Sequence, residues 1–538
     1  MQKIPSNCNQ SDSVFLRNRE CLIRLIEQCH SLELRAVEQS AKAAARFHAN
    51  GKLLPRERLA QLLDPGQAFL ELMTLAGYCG HEDPDPETSI PGSAIIAGIG
   101  SIAGALCMVV ISDAGISAGA MQSMTAAKVM RCQEIALAHR LPFVQLVESA
   151  GGNLKKYRVE RFLNGGGMFY NLAKLSAGGV PVVSLIHGSS AAGGAYLPGL
   201  SDYVVMVRNQ ARAYLAGPSL LQAATGEVAT EEELGGADMH ASVSGLADYV
   251  ADNDTEAIEQ VRLIVSSLDW PAPLPHDTWL PPAHEIEDIL GLIPADARTP
   301  VDMREIVARI VDGSMFHEFK STYGVPTVCG YAAIHGMKLG IITNNGPLDP
   351  QGSTKAAQFI QLCAQLNRPI LFLQNITGFI VGKAHEEAGM IKHGAKLIQA
   401  LSNASVPRIT ILCGASYGAG NYGMCGHAFK PDFLFSWPNA KTAVMGGEQA
   451  ARTMQMVAEV GARRSGKVLD QAVLETEKNA IVENFESQMS AIYTSSRLLD
   501  DGVIDPRDTR EVLAHVLGVV RNGKARPVSE IQFGVARF

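Results

Sequence analysis

An α/β protein built from two tandem copies of one unit is predicted by three observations. Residue pairs recur at matched spacings on either side of a proline-rich stretch, residues 270–282. Nearly all-apolar segments of strand length end in glycine-rich turns, and helical stretches alternate with those segments. Gly104 and Asp113 lie nine apart, as do Gly336 and Asn345. Lys128 precedes Pro142 by 14, and Lys355 precedes Pro369 by 14. Pro142 to Gly151 spans nine, as does Pro369 to Gly378; Pro181 to Gly188 spans seven, as does Pro407 to Gly414. Chance does not keep four spacings in one order. The bounded segments, such as ALCMVVIS after Gly104 and ITILC before Gly414, are apolar on both alternating faces, as strands covered by helices on both sides are.

In chain order, Leu22, Leu25, Ile26, Cys29 and Leu32 fall at helical spacing, so residues 1–50 are expected to be an amphipathic helical segment. A Gly51-Lys52 turn and the string PRERL at 55–59 open a first domain expected over 51–285, with a helix from Ala126 to Ala138. Residues 270–282 and the string IPADARTP at 293–300 resist regular structure. A second domain is expected over 286–538, with a helix from Lys355 to Leu366.

Composition excludes several classes. With 47% hydrophobic and 19% charged residues the chain reads as a soluble globular protein, and 46 basic against 54 acidic side chains leave a net charge of −8. No nucleic-acid partner is expected, because basic clusters such as Lys155, Lys156 and Arg158 are too short for a polybasic stripe. Ten cysteines without a C-x-x-C pair suit a reducing compartment and provide no structural zinc site, so no metal is expected. The N-terminus has neither a signal-peptide core nor a transit-peptide composition, and no apolar run approaches about 18 residues. A cytoplasmic protein without membrane spans is expected.

The chemistry is expected where two strands end. VVSLIHG runs into Ser189-Ser-Ala-Ala-Gly-Gly-Ala-Tyr196, and ITILCG runs into Ala415-Ser-Tyr-Gly-Ala-Gly-Asn-Tyr422. Small residues between a strand and a helix leave backbone N–H groups unobstructed, a way to hold an oxyanion; the same residues also permit close packing, and the loops alone leave both readings open. Gly414-Ala-Ser416-Tyr-Gly418 also satisfies G-x-S-x-G after a strand, the context of a serine-hydrolase nucleophile. Gly115-Ile-Ser117-Ala-Gly119 satisfies it as well, so the pattern is weak.

Longer strings carry a resemblance. GGAY at 193–196 with Asp202, LAGPS at 215–219, ATGE at 224–227, EELGGAD at 232–238, NITGF at 375–379, HGAKL at 393–397, GAGNYGM at 418–424 and MGGEQA at 445–450 together resemble carboxyltransferase β subunits of biotin-dependent acyl-CoA carboxylases, over about residues 45–538. The resemblance implies two crotonase-like domains of spiralled β-β-α units. It implies an acyl-CoA on the N-terminal domain, and carboxybiotin, carried by a partner biotin carboxylase/biotin carboxyl carrier (α) subunit, on the C-terminal domain of a second copy. It implies a β hexamer within an α6β6 complex. By motif position Ala192 and Gly193 would form one oxyanion hole and Ala419 and Gly420 the other. Gly165, Gly166 and Gly194 would line the acyl site, and Phe379, His393 and Tyr417 the biotin site.

No acid/base dyad is evident, and His385, His393 and His427 are expected to be structural or to belong to the biotin pocket. The chain has no P-loop and no Ala-Met-Lys-Met, so ATP use and the biotinyl lysine are expected on another subunit. NITGF and MGGEQA resemble the branch acting on branched 2-enoyl-CoAs. Methylcrotonyl-CoA carboxylases carry Phe where Gly165 stands in VERFLNGGGMFYN, and that replacement implies a channel long enough for geranyl-CoA. The alternatives are 3-methylcrotonyl-CoA or another acyl-CoA, and a decarboxylase component running the same exchange backwards.

Overall fold

The computed structural model describes residues 2–122, 124–152, 158–274, 278–296, 299–466, 470–525 and 533–536. The basic pair Lys155 and Lys156 lies outside them. The strands are, in chain order, β1 Gln2–Lys3, β2 Leu70–Glu71, β3 Ile95–Ile102, β4 Ala105–Ser112, β5 Phe143–Ser149, β6 Val182–Ala191, β7 Tyr203–Val207, β8 Arg212–Tyr214 and β9 Tyr249–Ala251. They continue with β10 Met315–Phe319, β11 Thr327–Ile334, β12 Met337–Asn344, β13 Ile370–Ile376, β14 Arg408–Tyr417, β15 Phe433–Ser436 and β16 Lys441–Ala443. Among the described residues these form two eight-stranded sheets, β2-β3-β4-β5-β6-β7-β9 with β8 on β6, and β1-β10-β11-β12-β13-β14-β15 with β16 on β14.

The chain divides into two compact units, each assembled from separate stretches: His30–Pro275 with Ser496–Leu498 and Gly518–Phe538, and Met1–Cys29 with His276–Ser495 and Leu499–Leu517. In the first, β3 and β4 form an antiparallel hairpin and β4, β5, β6 and β7 run parallel. In the second, β11 and β12 form the hairpin and β12, β13, β14 and β15 run parallel. The parallel strands are buried almost throughout, which is why they carry no alternation. Each copy has a register shift at the same place, between Val147 and Ser149 and between Gln374 and Ile376, where the strands reach their loops.

The repeat extends to ion pairs. Asp64 accepts the backbone N–H groups of Ala103 and Gly104 at the β3–β4 turn and a bond from Arg262; Asp312 accepts those of His335 and Gly336 at the β11–β12 turn and a bond from Arg510. Arg56 pairs with Glu71 as Arg304 pairs with Glu318. The expected helices are present as Thr125–His139 and Pro350–Gln365. The second begins five residues earlier than the apolar spacing suggested, because Asp349 caps it through the N–H of Gly352 and Pro350 suits its first turn. Near the N-terminus a helix spans Ser13–Ala41, burying Leu22, Ile26, Cys29 and Leu32 at the expected spacing. The proline-rich stretch carries no helix or strand over its described residues. It is nonetheless packed, since Trp279 stacks on His335 with ring centroids 4.3 Å apart and lies under the Arg510 guanidinium.

Candidate active site

Strands β6 and β14 lead to the two glycine-rich loops. Ser189 pairs with Arg212 of β8 as Ala415 pairs with Lys441 of β16, so the duplication matches Ala192 to Gly418, Gly193 to Ala419 and Gly194 to Gly420. The backbone turns at the first matched position in both copies, with φ of +53° at Ala192 and +56° at Gly418. The left-handed conformation comes readily to glycine; Ala192 adopts it at a cost of about 1 kcal/mol, a strain typical of functional turns. Helical turns follow at once, Ala192–Ala195 and Gly420–Gly423. First-turn N–H groups have no partner inside a helix, so the residues after each bend present donors.

The surroundings of the two loops differ. Ala192 and Gly193 are exposed, and a Cβ on Gly193 would meet only the Phe169 ring, at 3.5 Å. Phe169 stands edge-on to Tyr196, centroids 5.9 Å apart, so two aromatic rings flank the first loop. A Cβ on Gly194 would lie 3.4 Å from the Ser190 hydroxyl. Ala419 is exposed, but Gly420 is buried, and a Cβ there would lie 2.9 Å from the Gly378 backbone and 2.7 Å from Ile376. The donor pair matched to Ala419 and Gly420 is Gly193 and Gly194, one residue beyond the pair that motif position indicates.

Gly165 ends the helix Val159–Gly165 and Gly166 caps it. A Cβ on Gly165 meets nothing within 4 Å, and one on Gly166 meets only the Leu163 carbonyl, at 3.3 Å. In the second unit the Phe379 ring is wedged against Gly423 and Gly394, 3.1 and 3.3 Å from where their Cβ atoms would be. His393 Nδ1 bonds the Thr354 hydroxyl at 2.8 Å, and burial with nearby Lys396 and Lys392 lowers its pKa. Tyr417 ends β14, its phenol pKa raised by burial. His385 lies on the short helix Lys383–Glu387 and His427 opens the turn His427–Phe429.

Ser416 is not a nucleophile. Its side chain is fully buried and donates to Gln374 Oε1 at 2.6 Å while accepting from Asn421 Nδ2 at 2.7 Å, whereas attack needs an exposed oxygen beside a base. The G-x-S-x-G match reflects packing of small residues.

Sequence reasoning missed a chain of ionisable groups beneath the first loop. Lys52 Nζ binds Glu148 Oε1 at 2.6 Å, and Arg58 binds Glu148 Oε2 at 2.7 Å and Asp254 Oδ2 at 2.9 Å. Asp254 Oδ1 in turn bonds His187 Nδ1 at 2.6 Å. Arg58, Asp254 and His187 are almost fully buried. Burial pushes His187 down to about 4, the Arg58 charge adding to the effect, so the imidazole is neutral. Burial works the other way on Asp254, but the bond to His187 and the Arg58 charge outweigh it and hold the carboxyl far below its usual range. The available signal was a mismatch between copies: His187 and Glu148 occupy the positions of Cys413 and Asn375 in otherwise parallel strings.

Lys52 and Glu148 also line a cavity of about 290 Å³ with Arg46, Ser189, Arg212 and Glu231, a cleft of mixed charge at the foot of the first loop. The matching strand ends of the second unit, Asn375 and Cys413, line a cavity of about 420 Å³ with Leu22 and Leu25 and with the cations Arg24 and Lys441. Among the described residues no cluster of three or more His, Cys, Asp or Glu side chains is placed to hold a metal ion. Nor is any helix among them long and apolar enough to cross a membrane.

Residues 46–530 match the family model described as carboxyl transferase domain. A probable biotin-dependent acyl-coenzyme A carboxylase beta2 subunit of Mycobacterium tuberculosis is 46% identical over 502 residues, covering 92% of each chain. A probable mitochondrial methylcrotonoyl-CoA carboxylase beta chain of Drosophila melanogaster is 43% identical over 518 residues, covering 92% of this chain and 88% of its own. The crystal structure of the P. aeruginosa geranyl-CoA carboxylase beta subunit superposes over 100% of both chains with a TM-score of 0.93 and 47% identity.

Proposed function

The chain belongs to the carboxyltransferase (β) subunits of biotin-dependent acyl-CoA carboxylases, in the methylcrotonyl-CoA and geranyl-CoA branch, and on that premise we propose that it carboxylates geranyl-CoA, with carboxybiotin delivered by a biotin carboxylase/biotin carboxyl carrier (α) subunit in a cytoplasmic α6β6 complex. The observation that carries the substrate choice is that a Cβ on Gly165 would meet nothing within 4 Å, which leaves room there for a long acyl chain. The β subunit of P. aeruginosa geranyl-CoA carboxylase, which overlaps the whole chain, supports it. 3-Methylcrotonyl-CoA is the second reading, favoured by the names of several relatives.

In this reading the first loop holds the thioester oxygen: N–H donors at Ala192 to Gly194 stabilise the negative charge that spreads onto it when the 3-methyl group loses a proton. Gly193 belongs to either choice of donor pair. Phe169 and Tyr196 flank that charge, and exclusion of water once the acyl-CoA is bound would raise the worth of each donor. The second loop holds the biotin ureido oxygen on the N–H groups of Ala419 and Gly420. The exposed Ala419 beside Phe379 and Tyr417 fits a flat, mostly apolar ring with one strong acceptor. When bound, carboxybiotin supplies the carboxyl group and a ureido nitrogen to take the substrate proton. The acyl-CoA side is the N-terminal half, the domain read over 51–285, and the biotin side the half over 286–538.

The test is reconstitution with the biotinylated α subunit, ATP and bicarbonate on a panel of acyl-CoAs, with Gly165→Phe beside the wild type. Geranyl-CoA should be the better substrate. The added ring should lower its kcat/KM about ten- to a hundredfold, the range of overpacking, while sparing 3-methylcrotonyl-CoA. Rejection of geranyl-CoA by the wild type, or equal losses on both substrates, overturns the assignment.

A further inference from the structure

Below the first loop, the chain packs so closely around Glu148 that two glycines are required, one against its side chain and one against its backbone. A Cβ on Gly188 would lie 2.6 Å from Glu148 Oε1 and 2.7 Å from its Cγ, and a Cβ on Gly119 would collide with the Glu148 carbonyl oxygen. Glu148 therefore sits under β6 four residues before Ala192. Its carboxylate is gripped on both oxygens, by Lys52 at 2.6 Å and Arg58 at 2.7 Å, and Arg58 is itself anchored on Asp254 in the core. The second unit solves the same problem without charge. Asn375 lies under Gly414, 2.6 Å from the site of its Cβ, and its Oδ1 accepts the Ala415 N–H at 3.2 Å.

We infer that Glu148, clamped by Lys52 and Arg58, is a positioning residue that sets the height of the first glycine-rich loop for the carboxyl transfer. Nothing in the transfer requires its charge to touch substrate. The charge serves to fix the side chain, because a carboxylate held by two cations cannot swing toward the adjoining cleft, whereas a neutral amide loses most of that attraction. Burial raises the Glu148 pKa, but Arg58 and Lys52 outweigh it and leave the carboxyl below its usual range, so the clamp is ionised at neutral pH. Donor misplacement by about 1 Å lowers rates on the order of a hundredfold, so slackening here reads out as turnover.

The inference rests on the loop at 192–194 being the oxyanion site, so Gly193→Val in the reconstituted holoenzyme tests that reading first. Full activity of Gly193→Val would show that reading wrong and leave the clamp without a purpose. Glu148→Gln and Lys52→Met then test the clamp. Each should lower kcat about ten- to a hundredfold with KM for the acyl-CoA within about twofold, and with unchanged oligomer size. Glu148→Asp, which keeps the charge, should recover part of the loss in kcat. If Glu148→Gln does not fold, the partly exposed Lys52→Met decides alone. Near-normal kcat in a folded variant while Gly193→Val is inactive, or a loss that tracks only the fraction of folded protein, overturns the positioning role.

Discussion

Where β5 and β6 approach their loop, the first unit places Arg58, Glu148 and His187; at the matching positions the second unit has Ile306, Asn375 and Cys413. The turn aspartates, the Arg–Glu pairs, the register shifts and the bends before the loops are nevertheless common to both. A skeleton held by backbone bonds and edge ion pairs is thus compatible with either a charged or a neutral support under the strand that leads to the glycine-rich loop. In the first unit the carboxylates of Glu148 and Asp254 balance Lys52 and Arg58, which would otherwise stand unpaired beneath the loop.

The largest effect should come from transplanting the neutral solution. Arg58→Ile leaves the buried Asp254 carboxylate without its cation, and breaking such a pair costs about 3–5 kcal/mol. The reverse-side control Ile306→Val should cost about 1 kcal/mol. Hydrogen exchange on β6 and β14, measured separately, reads each unit by itself; equal losses in the two variants would remove the contrast.

Next come the loops themselves. Gly193→Val should reduce transfer about 10²- to 10³-fold with normal hydrogen-exchange protection, because only Phe169 lies near and a ring can tilt aside. Gly420→Val should instead lower the stability of the second unit, since the new Cβ runs into the Gly378 backbone, which cannot yield. Protection that falls in both variants, or in neither, would refute the difference between the loops.

Acid should affect the two units unequally. His187 is held at about 4, below its unfolded value near 6.5, so it contributes stability that is present above that value and lost as pH falls through 4. Asp500 in the second unit is raised by burial to about 6, above its unfolded value near 3.9, so its contribution is complete below 3.9 and lost as pH rises through 6. Each shift corresponds to about 3 kcal/mol. Between pH 6.5 and 4, protection of β6 should fall, whereas in the second unit the gain from Asp500, which bonds β15 through Ser436, offsets the loss from His515, which burial also holds at about 4, so protection of β15 should change less. An equal fall in β6 and β15 would mean that Asp500 titrates normally.

The smallest expected difference is at the shared turn. Asp64→Ala and Asp312→Ala each remove a carboxylate from two backbone N–H groups and an arginine, and should each cost about 1–3 kcal/mol in their own unit. Unequal losses would show that the common skeleton is not energetically equivalent in the two copies.

Much of this was readable in the chain. Equal spacings gave the duplication because each pair brackets one strand or helix, and such elements tolerate no insertion. The apolar runs identified β4, β5, β6 and their partners, and the strings around 193–196, 375–379 and 418–424 located the loops and the family. Local order of this kind is written in neighbouring residues, so periodicity and spacing report it.

What only the tertiary structure decided is which distant residues share one spot. Glu148, His187 and Asp254 are far apart in sequence and carry no common period, yet Arg58 and a single chain of bonds join them under one loop. Likewise the PRERL string reads as an ordinary charged helix until the fold buries Arg58 within it and leaves Arg56 at the edge. The burial of Ser416 and the tight seat of Gly420 are equally invisible in the chain, because both depend on the backbone and side chains of β13 arriving beside β14. Packing sets burial, and burial sets charge and reactivity, so these features emerge only when non-neighbours meet.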